Sequence, residues 1–116
     1  MDPIERYHLR TLADAEEVTG MPFDWDNVNR RHIGRHNISP EEAEQVVLND
    51  PLDLEIQSVD GEERFVQVGE TNAGRILVVV ATWQNNLVRV VTGWDASAAH
   101  KQEYLQDRMK TWPLQS

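Results

Sequence analysis

The chain has 116 residues, enough for one domain with its own apolar core, and 40% of them are hydrophobic. Its 20 acidic residues outweigh 11 basic ones, for a formal charge of −9, so general attraction to nucleic acid is excluded and any anion must meet a local reversal of sign. Cysteine is absent, which removes disulfides, thiolate metal sites and a cysteine nucleophile; no signal-like start and no membrane-length apolar run is present, so a soluble, cytoplasmic protein without a membrane partner is expected.

In chain order, Ile4, Tyr7, Leu12, Ala15 and Val18 fall at loosely helical spacing before Gly20 and Pro22, which predicts a helical N-terminal extension over 1–22. Residues 23–112 form the expected domain, with 113–116 as a tail. Trp25, Val28, Asn29, His32, Ile33 and His36 share one stripe of a helix that Asp26 can cap, so the histidines are expected to face inward and Arg30, Arg31 and Arg35 outward. Ser39-Pro40-Glu41-Glu42 is a helix start in which serine caps, proline takes the first helical position and Glu42 completes a capping box.

After Asp50-Pro51 the period changes to two. Leu52, Leu54 and Ile56 alternate with polar residues up to the turn at Asp60-Gly61, and three strands follow over roughly 63–69, 75–83 and 87–92. The short links predict an antiparallel meander, and Ile76 to Ala81, apolar on both faces, belongs at its centre. A closing helix over 96–110 carries Ala98, Tyr104, Leu105 and Met109 and can be capped by Asp95 or Ser97. The fold class is therefore α+β, a four-stranded meander packed with N-terminal helices and a C-terminal helix.

The bases are concentrated. Residues 30–36 and 64–89 carry six arginines against one acid, Glu70, whereas 37–63 hold nine acids and no Lys or Arg. With a four-residue loop at 71–74 and a three-residue loop at 84–86, Arg64 and Arg89 would both stand opposite Ala81, their backbones roughly 10 Å apart. Arg75 would lie about 20 Å along the same face, near Gly93 to Asp95. A two-residue second loop would turn Arg89 to the other face, so two candidate ends stay open.

Phe23-Asp24-Trp25-Asp26, Arg35-His36-Asn37-Ile38-Ser39-Pro40-Glu41-Glu42-Ala43, Glu63-Arg64-Phe65, Gly74-Arg75-Ile76-Leu77-Val78-Val79-Val80 and Arg89-Val90-Val91, in this order, resemble the BrnT toxin family over about residues 23–105. The resemblance implies a RelE-like fold and a cytoplasmic toxin of a type II toxin-antitoxin pair. It implies RNA as substrate, metal-independent endoribonuclease chemistry by 2′-hydroxyl attack without any cofactor, and a DNA-binding antitoxin of BrnA type as partner. A homodimer or a toxin-antitoxin hetero-oligomer is the expected assembly. Such chemistry needs a base, an acid and cations facing the phosphorane, for which His36, Glu63, Arg64, Arg75 and Tyr104 are the matching side chains, with Arg30, Arg31, Arg35 and Arg89 as RNA-binding residues. The sequence departs from the family where Thr92-Gly93-Trp94-Asp95 replaces a Ser-Ala-Arg segment, putting tryptophan in the place of an arginine.

Each candidate has a structural alternative. His36 can be a packed, hydrogen-bonded histidine; Glu63 and Arg64 a cross-strand pair; Arg75 the ion partner of Glu70; Arg89 a buried cation balanced by an acid; Tyr104 an apolar anchor with its hydroxyl at the rim. The alternative function is a catalytically weakened relative that serves as an antitoxin-binding module.

Overall fold

The computed structural model describes residues 22–111, and the helix expected over 4–18 and the tail lie outside them. Among the described residues the order is α1 (Asn27–Gly34), α2 (Pro40–Leu48), β1 (Leu52–Val59), β2 (Glu62–Glu70), β3 (Ile76–Gln84), β4 (Leu87–Asp95) and α3 (Ala98–Thr111). The four strands form one antiparallel sheet in the order β1-β2-β3-β4. The expected α+β meander is therefore the architecture of the protein.

Both early helices start as their sequences dictate. The Asp26 carboxylate accepts from the backbone N–H groups of Val28 and Asn29, and Ser39 and Glu42 form the reciprocal capping box over Pro40. The turn residues are equally legible, since Asp60-Gly61 and Asn85-Asn86 take positive φ throughout, as two-residue hairpin loops of the right twist require.

The strand period distributes two apolar layers. One face of β3 and β4, through Leu77, Val79 and Val90, packs with Ile33, Ile38, Ala43 and Val46 of the α1–α2 region. The opposite face, through Val66, Val68, Val78 and Val80, packs with Ala96 and Tyr104. β3 is central and covered on both sides, as its uninterrupted apolar run requires.

Four expectations are corrected. The first helix ends at Gly34, so His36 sits in the following turn and is exposed, and Val28 is 55% exposed rather than inward. The β2–β3 loop has five residues, because Glu70 pairs with Ile76, and the β3–β4 loop has two, because Gln84 pairs with Leu87. Arg64 and Arg89 consequently stand opposite Thr82, not Ala81, although they still share one partner. In α3 only Tyr104 is buried; Leu105 and Met109 face solvent.

A bulge between Val80 and Ala81 leaves Val91 extra on β4. Val88 and Val90 join the α1–α2 layer, and because both loops move the register by one residue Arg89 keeps the face of Arg64 despite the two-residue second loop.

Candidate active site

Arg75 lies in the loop just before β3, and α2, β4 and the α1–α2 turn converge on it. Its Nε and Nη2 donate to the two Asp95 carboxylate oxygens at 3.1 and 3.2 Å, and its Nη1 donates to both oxygens of Glu42 at 3.2 Å. Nη1 also donates to the Asn37 carbonyl at 2.7 Å and Nη2 to the His36 carbonyl at 3.2 Å. The ion partners of Arg75 are thus Glu42 and Asp95, not Glu70, which instead accepts from the Tyr104 hydroxyl.

The charges around this knot act on one another. The hydrogen bond from Arg75, followed by the Arg75, Lys101 and His36 charges, holds the Asp95 carboxyl below its ordinary range. The Ser39 backbone N–H and then Arg75 do the same for Glu42, and the Asp95 hydrogen bond leads in raising Arg75. His36 is exposed in the α1–α2 turn and Lys101 lies in the first turn of α3, so the charges that act on this carboxylate come from two different elements. Arg35 precedes His36 in the chain, and Arg30, Arg31 and Arg35 make no ion pair among the described residues. Asp95 and Lys101 were not among the sequence candidates and Glu42 was read only as a cap. The missing signal is tertiary, because sequence spacing does not bring residues 42, 75, 95 and 101 together.

The other candidates are placed elsewhere. Arg64 pairs with Glu62 at 3.1 Å, and Arg89 with Asp24 and Asp26 at 3.3 and 3.0 Å. Both flank Thr82, six residues along β3 from Ile76, which is about 20 Å from the Arg75 end. Glu63 is exposed and pairs with Ser58 on the edge strand, one residue out of phase with Arg64 and so on the opposite face. Tyr104 is only 1% exposed; its hydroxyl reaches Glu70 at 3.3 Å and accepts from Arg108 Nε at 2.9 Å, on the α3 side of the sheet. Burial raises its pKa above the ordinary tyrosine value. His32 is half-buried, with its Nδ1 3.2 Å from the Val91 carbonyl. Among the described residues no three His, Asp or Glu side chains gather into a group that could hold a metal ion.

The family model of the BrnT ribonuclease toxins of type II toxin-antitoxin systems matches residues 25–103, more than two thirds of the chain. The chain belongs to the BrnT family. The match begins at Trp25, whose indole N–H donates to Glu44 of α2 at 2.7 Å, and ends at Glu103, immediately before Tyr104. It thus takes in both helices before the sheet, all four strands and the first turn of α3 that carries Lys101. For a BrnT-family chain the substrate class is RNA and the partner class an antitoxin. No curated protein matches this sequence. No helix among the described residues is long and apolar enough to cross a membrane.

Proposed function

We propose that this BrnT-family chain is the toxin of a type II pair, a metal-independent endoribonuclease working in the cytoplasm at the Arg75 end of the sheet. A DNA-binding antitoxin of BrnA type, held in a hetero-oligomer, restrains it. The observation that carries this reading is that Arg75 joins the backbone of the exposed His36 and of Asn37 to Asp95 at the end of β4, directly after a helix and its C-cap whose three arginines, Arg30, Arg31 and Arg35, have no carboxylate partner among the described residues. A molecule of charge −9 then presents positive groups to a phosphodiester in one place.

In this reading His36 takes the proton of a ribose 2′-hydroxyl, a task for which imidazole is suited near neutral pH. The 2′-oxygen forms a bond to phosphorus, the bond to the 5′-oxygen breaks, and that oxygen takes a proton from water, leaving a 2′,3′-cyclic phosphate and a 5′-hydroxyl. Lys101 and Arg35 offset the charge that grows on the phosphorane, while Arg30 and Arg31 hold the RNA backbone. Glu63, Arg64, Tyr104 and Arg89 stand outside the reacting centre.

The test is cleavage of an oligoribonucleotide in EDTA by the wild type and by His36→Ala. We expect cleavage to survive EDTA, to stop when the target ribose is 2′-deoxy, and to fall at least about 100-fold in the variant, in line with loss of a general base. Abolition by EDTA, or full activity without His36, refutes the mechanism.

One observation favours the alternative of a weakened, antitoxin-binding relative: Arg64, Arg75 and Arg89 are each engaged by carboxylates, and Trp94 stands 37% exposed beside Asp95. Intact RNA under conditions where the chain still binds its antitoxin would establish that reading instead.

A further inference from the structure

We infer that Arg75 is a positioning residue for His36 and not a phosphate ligand, and that Glu42 and Asp95 are its anchors. This rests on the ribonuclease reading above for its kinetic consequence, but its structural content stands separately.

A guanidinium has five N–H donors in a fixed planar fork. In Arg75 the one on Nε meets Asp95, the pair on Nη1 meets the Asn37 carbonyl and Glu42, and the pair on Nη2 meets the His36 carbonyl and Asp95. No donor is left to turn toward a substrate oxyanion, and two carboxylates already exceed the single positive charge. A phosphate arriving at this fork would displace one carboxylate and be repelled by the other.

What the fork grips is the segment that carries His36. Its two carbonyl acceptors are consecutive, His36 and Asn37, and Asn37 has a φ of +57, a left-handed turn between α1 and α2. The turn also closes on itself through the His36, Asn37 and Ile38 N–H groups, which donate to the carbonyls of Ile33 and Gly34. Arg75 ties this turn to the head of β3, Glu42 ties it to α2, and Asp95 ties it to the end of β4. The bidentate geometry fixes direction as well as distance, which an imidazole needs if it is to meet a proton of defined position.

Glu42→Gln and Asp95→Asn decide between the two roles because they predict opposite signs. Glutamine keeps the capping box at the start of α2, so the first variant preserves the helix. If Arg75 were a phosphate ligand, removing a competing carboxylate would free the fork, tightening RNA binding and speeding cleavage. As a positioning residue it loses an anchor instead. We expect kcat to fall about 3- to 30-fold in each variant and further in Arg75→Gln, while KM and the slope of RNA affinity against salt stay within twofold of the wild type. Arg75→Lys, which keeps the charge but not the fork, should fail to restore kcat.

Faster cleavage in Glu42→Gln or Asp95→Asn, or a salt slope reduced by about one in Arg75→Gln, overturns the inference. The backbone amide shifts of His36 and Asn37, followed by NMR in Arg75→Lys, give an answer that needs no activity. They should move by more than those of the distant Thr82 pairing; unchanged shifts overturn the positioning role. A wild type that cuts no RNA would refute the ribonuclease reading, yet leave this spectral comparison decisive.

Discussion

Tyr104→Phe separates an anchor from an acid. The hydroxyl accepts from Arg108 Nε at 2.9 Å and reaches a Glu70 oxygen at 3.3 Å, while the ring is buried against Val66, Val68, Val78 and Val80. Phenylalanine keeps the ring and its apolar contacts, so the loss is confined to those two polar contacts. A bond to a charged partner contributes about 1.5–3 kcal/mol, but the Arg108 side chain is 40% exposed and keeps its 2.7 Å bond to the Asn49 carbonyl, so water replaces part of what is lost. We therefore expect a destabilisation of about 1–1.5 kcal/mol, whereas Tyr104→Ala, which empties the layer, should cost about 3–5 kcal/mol. For a domain of this size the phenylalanine variant corresponds to a Tm lowered by roughly 3–8 °C. Urea unfolding followed by tryptophan fluorescence, paired with RNA cleavage at a temperature where both proteins are folded, reads the two consequences together. Cleavage reduced by 100-fold or more with unchanged stability would refute the anchor and make the hydroxyl a proton donor.

Three more outcomes follow from the packing. A Cβ at Gly69 would meet Pro51 Cβ at 3.0 Å and the Val46 side chain and carbonyl at 3.1 and 3.2 Å, so Gly69→Ala should destabilise by about 1–3 kcal/mol, measurable as a shift in urea midpoint at constant m-value. Asn29→Leu should cost about 2–4 kcal/mol in the same assay, since the buried amide donates to the carbonyls of Asp24 and Val90 and accepts from the Asp26 N–H, and leucine strands all three. Glu42 and Asp95 titrate below their ordinary range in the folded state, so their contribution is complete above about pH 5, past the unfolded values of both groups, and disappears as the pH falls through the lowered ones. Acid unfolding followed by circular dichroism should thus be steeper below pH 4 in the wild type than in Arg75→Gln, and identical profiles would contradict the linkage.

Local chemistry carried much of the fold into the sequence. Ser39-Pro40-Glu41-Glu42 specifies its helix start because every group that satisfies it lies within four residues, and Asp60-Gly61 specifies its hairpin because few residues tolerate positive φ. The helical stripe from Trp25 to His36 misled at its end, since periodicity continues through Gly34 although the backbone leaves the helix there and Asn37 turns left-handed. The registers missed by one residue because loop length is set jointly by the turn and by what the strands pack against; Thr71, whose hydroxyl accepts from Arg75 N–H, takes Arg75 out of the strand. At the site, the family motifs marked Arg75 and His36, but the identity of the acids around them was out of reach. Asp95 reads as a helix cap and Glu42 as a capping box until the sheet brings them to one guanidinium.

The unpaired Val91 gives β4 one residue more than its pairing uses. Deleting it would join Val90 to Thr92 in ordinary alternation, so that Val90 still meets Ala81, Arg89 still meets Thr82, and Val88 and Val90 keep their layer, with only the local twist and the packing of the Val91 side chain lost. Descendants of this gene can therefore lose one codon here more cheaply than anywhere in β3, which is paired on both sides, and a frame-preserving deletion scan should find a shallow notch at position 91 beside deep troughs in the central strand.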